Sequence, residues 1–133
     1  MTITGSCLCG EIHYSINQNI GDVIHCHCIK CRKAHGSAFS SVAKIEDQKF
    51  SLSDASQHLK SYQSSEGKYR HFCSNCGSPL YSQRTDMPDM LRLRVGTVTM
   101  GQIPNPDYQI FCESQADWLV LSDNKPRYQQ NIE

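Results

Sequence analysis

Three cysteine clusters carry most of the chemistry this chain could do. They are Cys7-Leu8-Cys9, Cys26-His27-Cys28-Ile29-Lys30-Cys31 and Cys73-Ser74-Asn75-Cys76-Gly77, and Cys112 stands alone. Thiols this dense serve as disulfides, iron–sulfur ligands or zinc ligands. Disulfides need an oxidising compartment. The opening residues MTITGSCLCGEIHY show no basic region followed by an apolar run, so no secretory signal is read and a cytoplasmic location is expected. The spacing fits neither common ferredoxin pattern. Zinc is the expected ion, because tetrahedral thiolate sites are built from close pairs supplied by separated segments.

Cys73 and Cys76 followed by Gly77 form the most specific local signal. Two intervening residues let one tight turn present both sulfurs to one ion, and glycine tolerates the left-handed backbone such turns need. Seven clustered thiols divide into four and three. Four thiolates close a structural zinc site, whereas three leave a position open for water or substrate. Cys26, Cys28 and Cys31 already make three, so theirs is the expected open site, holding a second, labile zinc. Cys7, Cys9, Cys73 and Cys76 then make the structural one. Spacing leaves the reverse pairing open, and it leaves His27 or His35 available as a fourth ligand at the first site.

Other residues near the clusters have plainer expectations. Lys30, Arg32 and Lys33 would either offset the negative charge of a three-thiolate zinc site or form a solvated helix face. His35 could relay a proton, but a surface or core histidine is the more ordinary outcome. Arg92 and Arg94 are expected on the outward face of a strand. Trp118 is expected in the core, and Cys112 is expected to be a small buried residue.

The elements that must position these groups read mainly as strands. Ile12, Tyr14 and Ile16 alternate with polar residues, as do Leu91, Leu93 and Val95. Tyr108, Ile110 and Cys112 alternate with Gln109 and Phe111. Further strands are expected near Ser37–Ile45, Tyr69–Cys73 and Leu80–Arg84, the last two as arms of a hairpin around Cys73 and Cys76. Gly5, Gly10, Gly21, Gly67 and Gly77 punctuate the chain, as does the Pro104–Pro106 turn. A short helix is expected over Lys30–His35, ending at Gly36. The fold class is therefore mostly β: a small antiparallel assembly pinned by zinc, with little helix. Residues 1–133 are expected to form one domain. Hydrophobic content of 38% suggests a modest core that bound metal would reinforce. A formal net charge of zero gives no basic stripe for nucleic acid. No apolar run approaches the roughly 20 residues of a membrane span. The sequence leaves the oligomeric state open.

The cluster Cys26-His27-Cys28, leading into Cys31-Arg32-Lys33 and Gly36-Ser37, resembles the glutathione-dependent formaldehyde-activating enzyme family, also called the GFA or CENP-V domain. Phe72–Tyr81 (FCSNCGSPLY) resembles its second signature. Leu93–Val98 (LRVGTV) and Gln109–Trp118 (QIFCESQADW) resemble its C-terminal strands. The resemblance runs from Gly5 to Leu121. It implies an Mss4-like β fold with two zinc positions, Cys7, Cys9, Cys73 and Cys76 structural, and Cys26, Cys28 and Cys31 catalytic. It also implies carbon–sulfur lyase chemistry on a small thiol or thiol–aldehyde adduct such as S-hydroxymethylglutathione. Cys112 departs from the family's pattern. The competing expectation is a non-catalytic zinc scaffold that binds another macromolecule. A basic tail would favour that alternative, and none is present.

Overall fold

The computed structural model describes residues 2–132. Strands Ile3–Ser6 (β1), His13–Ile16 (β2), Phe50–Ser53 (β5) and Val98–Met100 (β10) form a four-stranded sheet in the order β10-β1-β2-β5. Strands Val23–Cys26 (β3), Ser40–Glu46 (β4), Leu59–Ser65 (β6), Lys68–Cys73 (β7), Pro79–Arg84 (β8), Met90–Arg94 (β9) and Tyr108–Ile110 (β11) form a seven-stranded sheet in the order β11-β3-β4-β9-β8-β7-β6. Pairing is antiparallel except where β11 runs parallel to β3. Among the described residues the only α-helix is Ile29–His35 (α1), and no helix is long and apolar enough to cross a membrane. The fold is mostly β with little helix, as the period-two runs imply.

That periodicity gives each strand two chemically distinct faces. Ile3, Tyr14 and Ile16 of the small sheet pack with Val23, Ala43, Ile45, Leu80, Leu91 and Leu93 of the large one in a single buried cluster. The opposite face of the large sheet follows from the register. Val42 pairs with Arg94, Arg92 with Ser82, Ser82 with Arg70, and Lys68 with Arg84. This second face is not open to solvent throughout. Ile24, Cys26, Cys31, Val42 and Ile110 make a second buried cluster there, with Cys28 at the start of α1 and Phe111 just after β11 packed against it.

Four expectations change. Arg94 is buried, because its outward face forms the floor of a covered cavity and not a solvated surface. Trp118 is 69% exposed, since no strand carries it inward; it borders a shallow hollow with Ile29, Arg32 and Lys33. The last strand stops at Ile110, where Phe111 turns into the left-handed region at φ 55°, so half-buried Cys112 lies in a 3-10 turn. Gly5, expected as a break, lies inside β1, where a Cβ would collide with the Tyr14 hydroxyl.

Candidate functional site

Two groups of thiols assemble from the three sequence clusters. Cys7, Cys9, Cys73 and Cys76 gather with all their sulfurs within 4.8 Å of one another, and so do Cys26, Cys28 and Cys31. All eight cysteines are free thiols. The pairing of Cys7 and Cys9 with Cys73 and Cys76 closes the alternative that spacing left open. Neither His27 nor His35 belongs to the second group.

The four-thiol group is built from two turns. Cys7 and Cys9 lie between β1 and β2, and Cys73 and Cys76 lie at the β7–β8 hairpin. Gly77 donates its N–H to the Cys73 carbonyl at 2.7 Å with φ +82°, a conformation that glycine alone adopts without steric cost. Gly10 returns to the Cys7 carbonyl at 3.2 Å in a parallel arrangement. The Cys7–Cys9 and Cys9–Cys73 sulfurs are 3.6 and 3.8 Å apart. A tetrahedron with zinc–sulfur arms of about 2.3 Å has edges of about 3.8 Å, so the donor set fits that ion. Burial pushes the Cys73 thiol up to about 11, while hydrogen bonds to its neighbours favour thiolate at Cys9 and Cys76. Ile12 N donates to Cys7 Sγ, Asn75 Nδ2 donates to Cys9 Sγ, and Ser78 Oγ lies 3.2 Å from Cys76 Sγ. The Asn75 contact pulls the Cys9 thiol down. At Cys76 burial pushes up, but hydrogen bonds with Ser78, the Cys9 backbone and Cys73 together outweigh it and bring that thiol to about 5.

The three-thiol group sits where β3 ends and α1 begins. Cys26 closes the strand, Cys28 caps the helix, accepting from Cys31 N at 3.3 Å, and Cys31 lies in the first turn. The donor set suits a thiophilic ion that keeps one position open. Hydrogen bonding from Cys26 and Cys28, with the Arg70 charge nearby, holds the Cys31 thiol well below its ordinary range. The same contacts push Cys26 up, so the cluster favours its first negative charge on Cys31.

This group opens on a cavity of about 720 Å³, which Lys30, Lys68, Arg70, Arg92 and Arg94 border together with the thiols. Arg70 reaches from β7, and its Nη2 donates to Cys31 Sγ at 3.6 Å. Arg94 reaches from β9. Its Nε donates to His35 Nε2 at 3.1 Å, and its Nη1 donates to the Arg92 carbonyl. Because an arginine Nε is always a donor, His35 Nε2 must be the unprotonated acceptor. Burial and the Arg94 charge lower His35 to about 4. Of the helix cations, Lys30 borders the cavity, while Arg32 is tied to the Ser114 carbonyl at 3.0 Å.

Sequence reasoning missed Arg70, Lys68 and Gln109. Arg70 and Lys68 lie in the Tyr69–Cys73 strand region, but nothing in the sequence tells which face of β7 meets the thiols. Gln109 is fully buried, with Oε1 2.6 Å from His27 Nε2 and Nε2 3.4 Å from His25 Nδ1. It fixes the residue between Cys26 and Cys28 from the parallel strand alongside, a pairing no local pattern announces.

Comparison with other proteins agrees with the resemblance. Residues 2–114 match the family described as glutathione-dependent formaldehyde-activating enzyme. A Halomonas elongata protein named "Putative glutathione-dependent formaldehyde-activating enzyme" is 24% identical over 94% of this chain and 84% of its own length. A Schizosaccharomyces pombe protein named an uncharacterised lyase is 35% identical over 62% of this chain, which spans 58% of that protein. The crystal structure of a Rhodobacter sphaeroides protein superposes with a TM-score of 0.62 at 23% identity, covering 76% of this chain and 91% of that one. At that identity the match supports the fold alone.

Proposed function

This chain belongs to the glutathione-dependent formaldehyde-activating enzyme family, and we propose that it is a carbon–sulfur lyase that makes or cleaves adducts of a small thiol and an aldehyde at Cys26, Cys28 and Cys31. The observation that carries this reading is that the three-thiol group alone opens on the cationic cavity. The Halomonas and Schizosaccharomyces names, an activating enzyme and a lyase, support the reaction class.

In the forward direction the substrate sulfur bonds to the carbonyl carbon. The C=O π pair becomes a lone pair on oxygen, and the thiol proton ends on that oxygen. In reverse the C–S bond breaks and the proton returns to sulfur. A zinc ion held by the three cysteines would supply Lewis acidity, favouring thiolate and a polarised carbonyl. The chain's own residues supply the rest. Lys68, Arg70 and Arg94 place positive charge where the sulfur and oxygen carry negative charge. His35 keeps Nε2 on Arg94 and so orients that guanidinium; its role is positioning, not proton relay. In the same proposal Cys7, Cys9, Cys73 and Cys76 hold a structural zinc.

The test uses zinc-loaded, reduced protein. Glutathione and formaldehyde are titrated separately and together by calorimetry, with an assay for the hydroxymethyl adduct. Cys31→Ser should lower binding and turnover by at least the roughly 10–100-fold that loss of an outer-shell partner costs a metal site. Equal behaviour of the two proteins would reject the site.

A further inference from the structure

Arg70 is a buried cation with unused hydrogen-bonding capacity. It is 9% exposed, and only Nη2 has a partner, the Cys31 sulfur. Nε and Nη1 have none among the described residues. A buried polar atom left without a partner costs on the order of 1–3 kcal/mol, more when charged, so such atoms around an open cavity point to a ligand that completes them.

The charges point the same way. Three thiolates around a divalent ion leave one negative charge. Facing it are Lys68, Arg70 and Arg94, a surplus of positive charge. The acids that border the cavity do not remove the surplus. Asp86 is committed to Arg84 at 2.7 Å, and Glu66 and Glu113 lie exposed. Arg94 is already engaged by His35 and the Arg92 carbonyl, so Arg70 has the larger open capacity.

Position then limits what the anion can be. Nη2 of Arg70 is 3.6 Å from the Cys31 sulfur, so an anion on this guanidinium lies beside the reacting atoms. In glutathione the carboxylates sit at the two ends of a tripeptide, several bonds from sulfur. Resting on the function proposed above, we propose that Arg70 is a carboxylate-binding, specificity-determining residue, and that the preferred substrate carries its carboxylate on the carbon next to the reacting thiol or aldehyde. The shared chemistry is a short acid, and it can enter on either partner of the adduct: a mercapto acid or an aldehyde acid.

The experiment separates the sources. Zinc-loaded, reduced protein is titrated by calorimetry with mercaptoacetate against neutral 2-mercaptoethanol, and with glyoxylate against neutral acetaldehyde. Thermal shifts with the same ligands are read on the reduced protein before and after zinc loading. A charged hydrogen bond supports a preference of about tenfold to a hundredfold for the acid in at least one arm. That arm identifies the partner carrying the carboxylate. Arg70→Gln should collapse the preference, and Arg70→Lys, which keeps the charge without the planar donors, should keep part of it. Zinc content and far-UV circular dichroism are measured for each variant. If Arg70→Gln does not fold, Arg70→Lys decides, and an undiminished preference there overturns the inference. Equal affinity for acid and neutral ligands in both wild-type arms also overturns it. So does an Arg70→Gln protein that loses zinc but keeps the preference, which would make Arg70 only a counter-ion for thiolates. Binding of the neutral thiol and aldehyde without discrimination would leave the lyase reading standing and remove only this one. No binding of any thiol or aldehyde would remove both.

Discussion

At the end of α1, His35 accepts from Arg94 and is lowered to about 4 by burial and the neighbouring charge. In an unfolded chain a histidine takes its proton near 6.5. Between those values the unfolded state binds more protons than the folded one, so stability rises with pH across that window and is lost as pH falls through it. His35→Gln keeps an acceptor for Arg94 but cannot titrate. Urea midpoints followed from pH 7 to pH 5 should fall more steeply for wild type than for the variant. Thiolate protonation is common to both proteins, so superimposable profiles would refute the assignment. The histidine was legible in the sequence as a candidate, but its partner was not. Arg94 alternates with Leu93 in a way that reads as a solvated strand face. Only the helix, through His35, and the segment after β11 at Phe111–Ser114, which borders the same cavity, turn an outward arginine into a buried one.

Among the elements, the β7–β8 hairpin and the β1–β2 turn belong to different sheets and are joined by the four thiols and by the Leu8 N–H, which donates to Ser78 Oγ at 2.8 Å. Cys73→Ser removes a fully buried sulfur from that junction and one ligand from the proposed structural ion. Cys31→Ser removes a ligand from a group confined to one strand end and the helix that follows it. Thermal unfolding of zinc-loaded protein should therefore show a loss for Cys73→Ser of several kcal/mol, comparable to breaking a structural metal site. The loss for Cys31→Ser should be smaller, and equal losses would contradict the division of roles. The hairpin was legible because the turn between its arms has its own signature in Cys73, Cys76 and Gly77. Strands β1, β3, β5, β6 and β10 were not read. Most have only three or four residues, too few for alternation to stand out, and pairing with distant neighbours defines them.

At the scale of the whole molecule the two thiol groups make different demands on the fold. The four-thiol group joins the small sheet to the large one from segments far apart in sequence, with Cys9 and Cys73 sulfurs 3.8 Å apart across 64 residues. The three-thiol group draws on six consecutive residues and lies on the far side of the large sheet from the main core. An ion shared between distant segments leaves only if they separate, so its release is coupled to unfolding. An ion on a local, open group leaves by dissociation alone. Titrating zinc-loaded protein with a chelator should thus release zinc in two stages. The first should leave far-UV circular dichroism unchanged and remove thiol binding at the cavity. The second should coincide with loss of β structure. Release in a single stage, or unfolding that precedes the first zinc, would show that the two groups are energetically one.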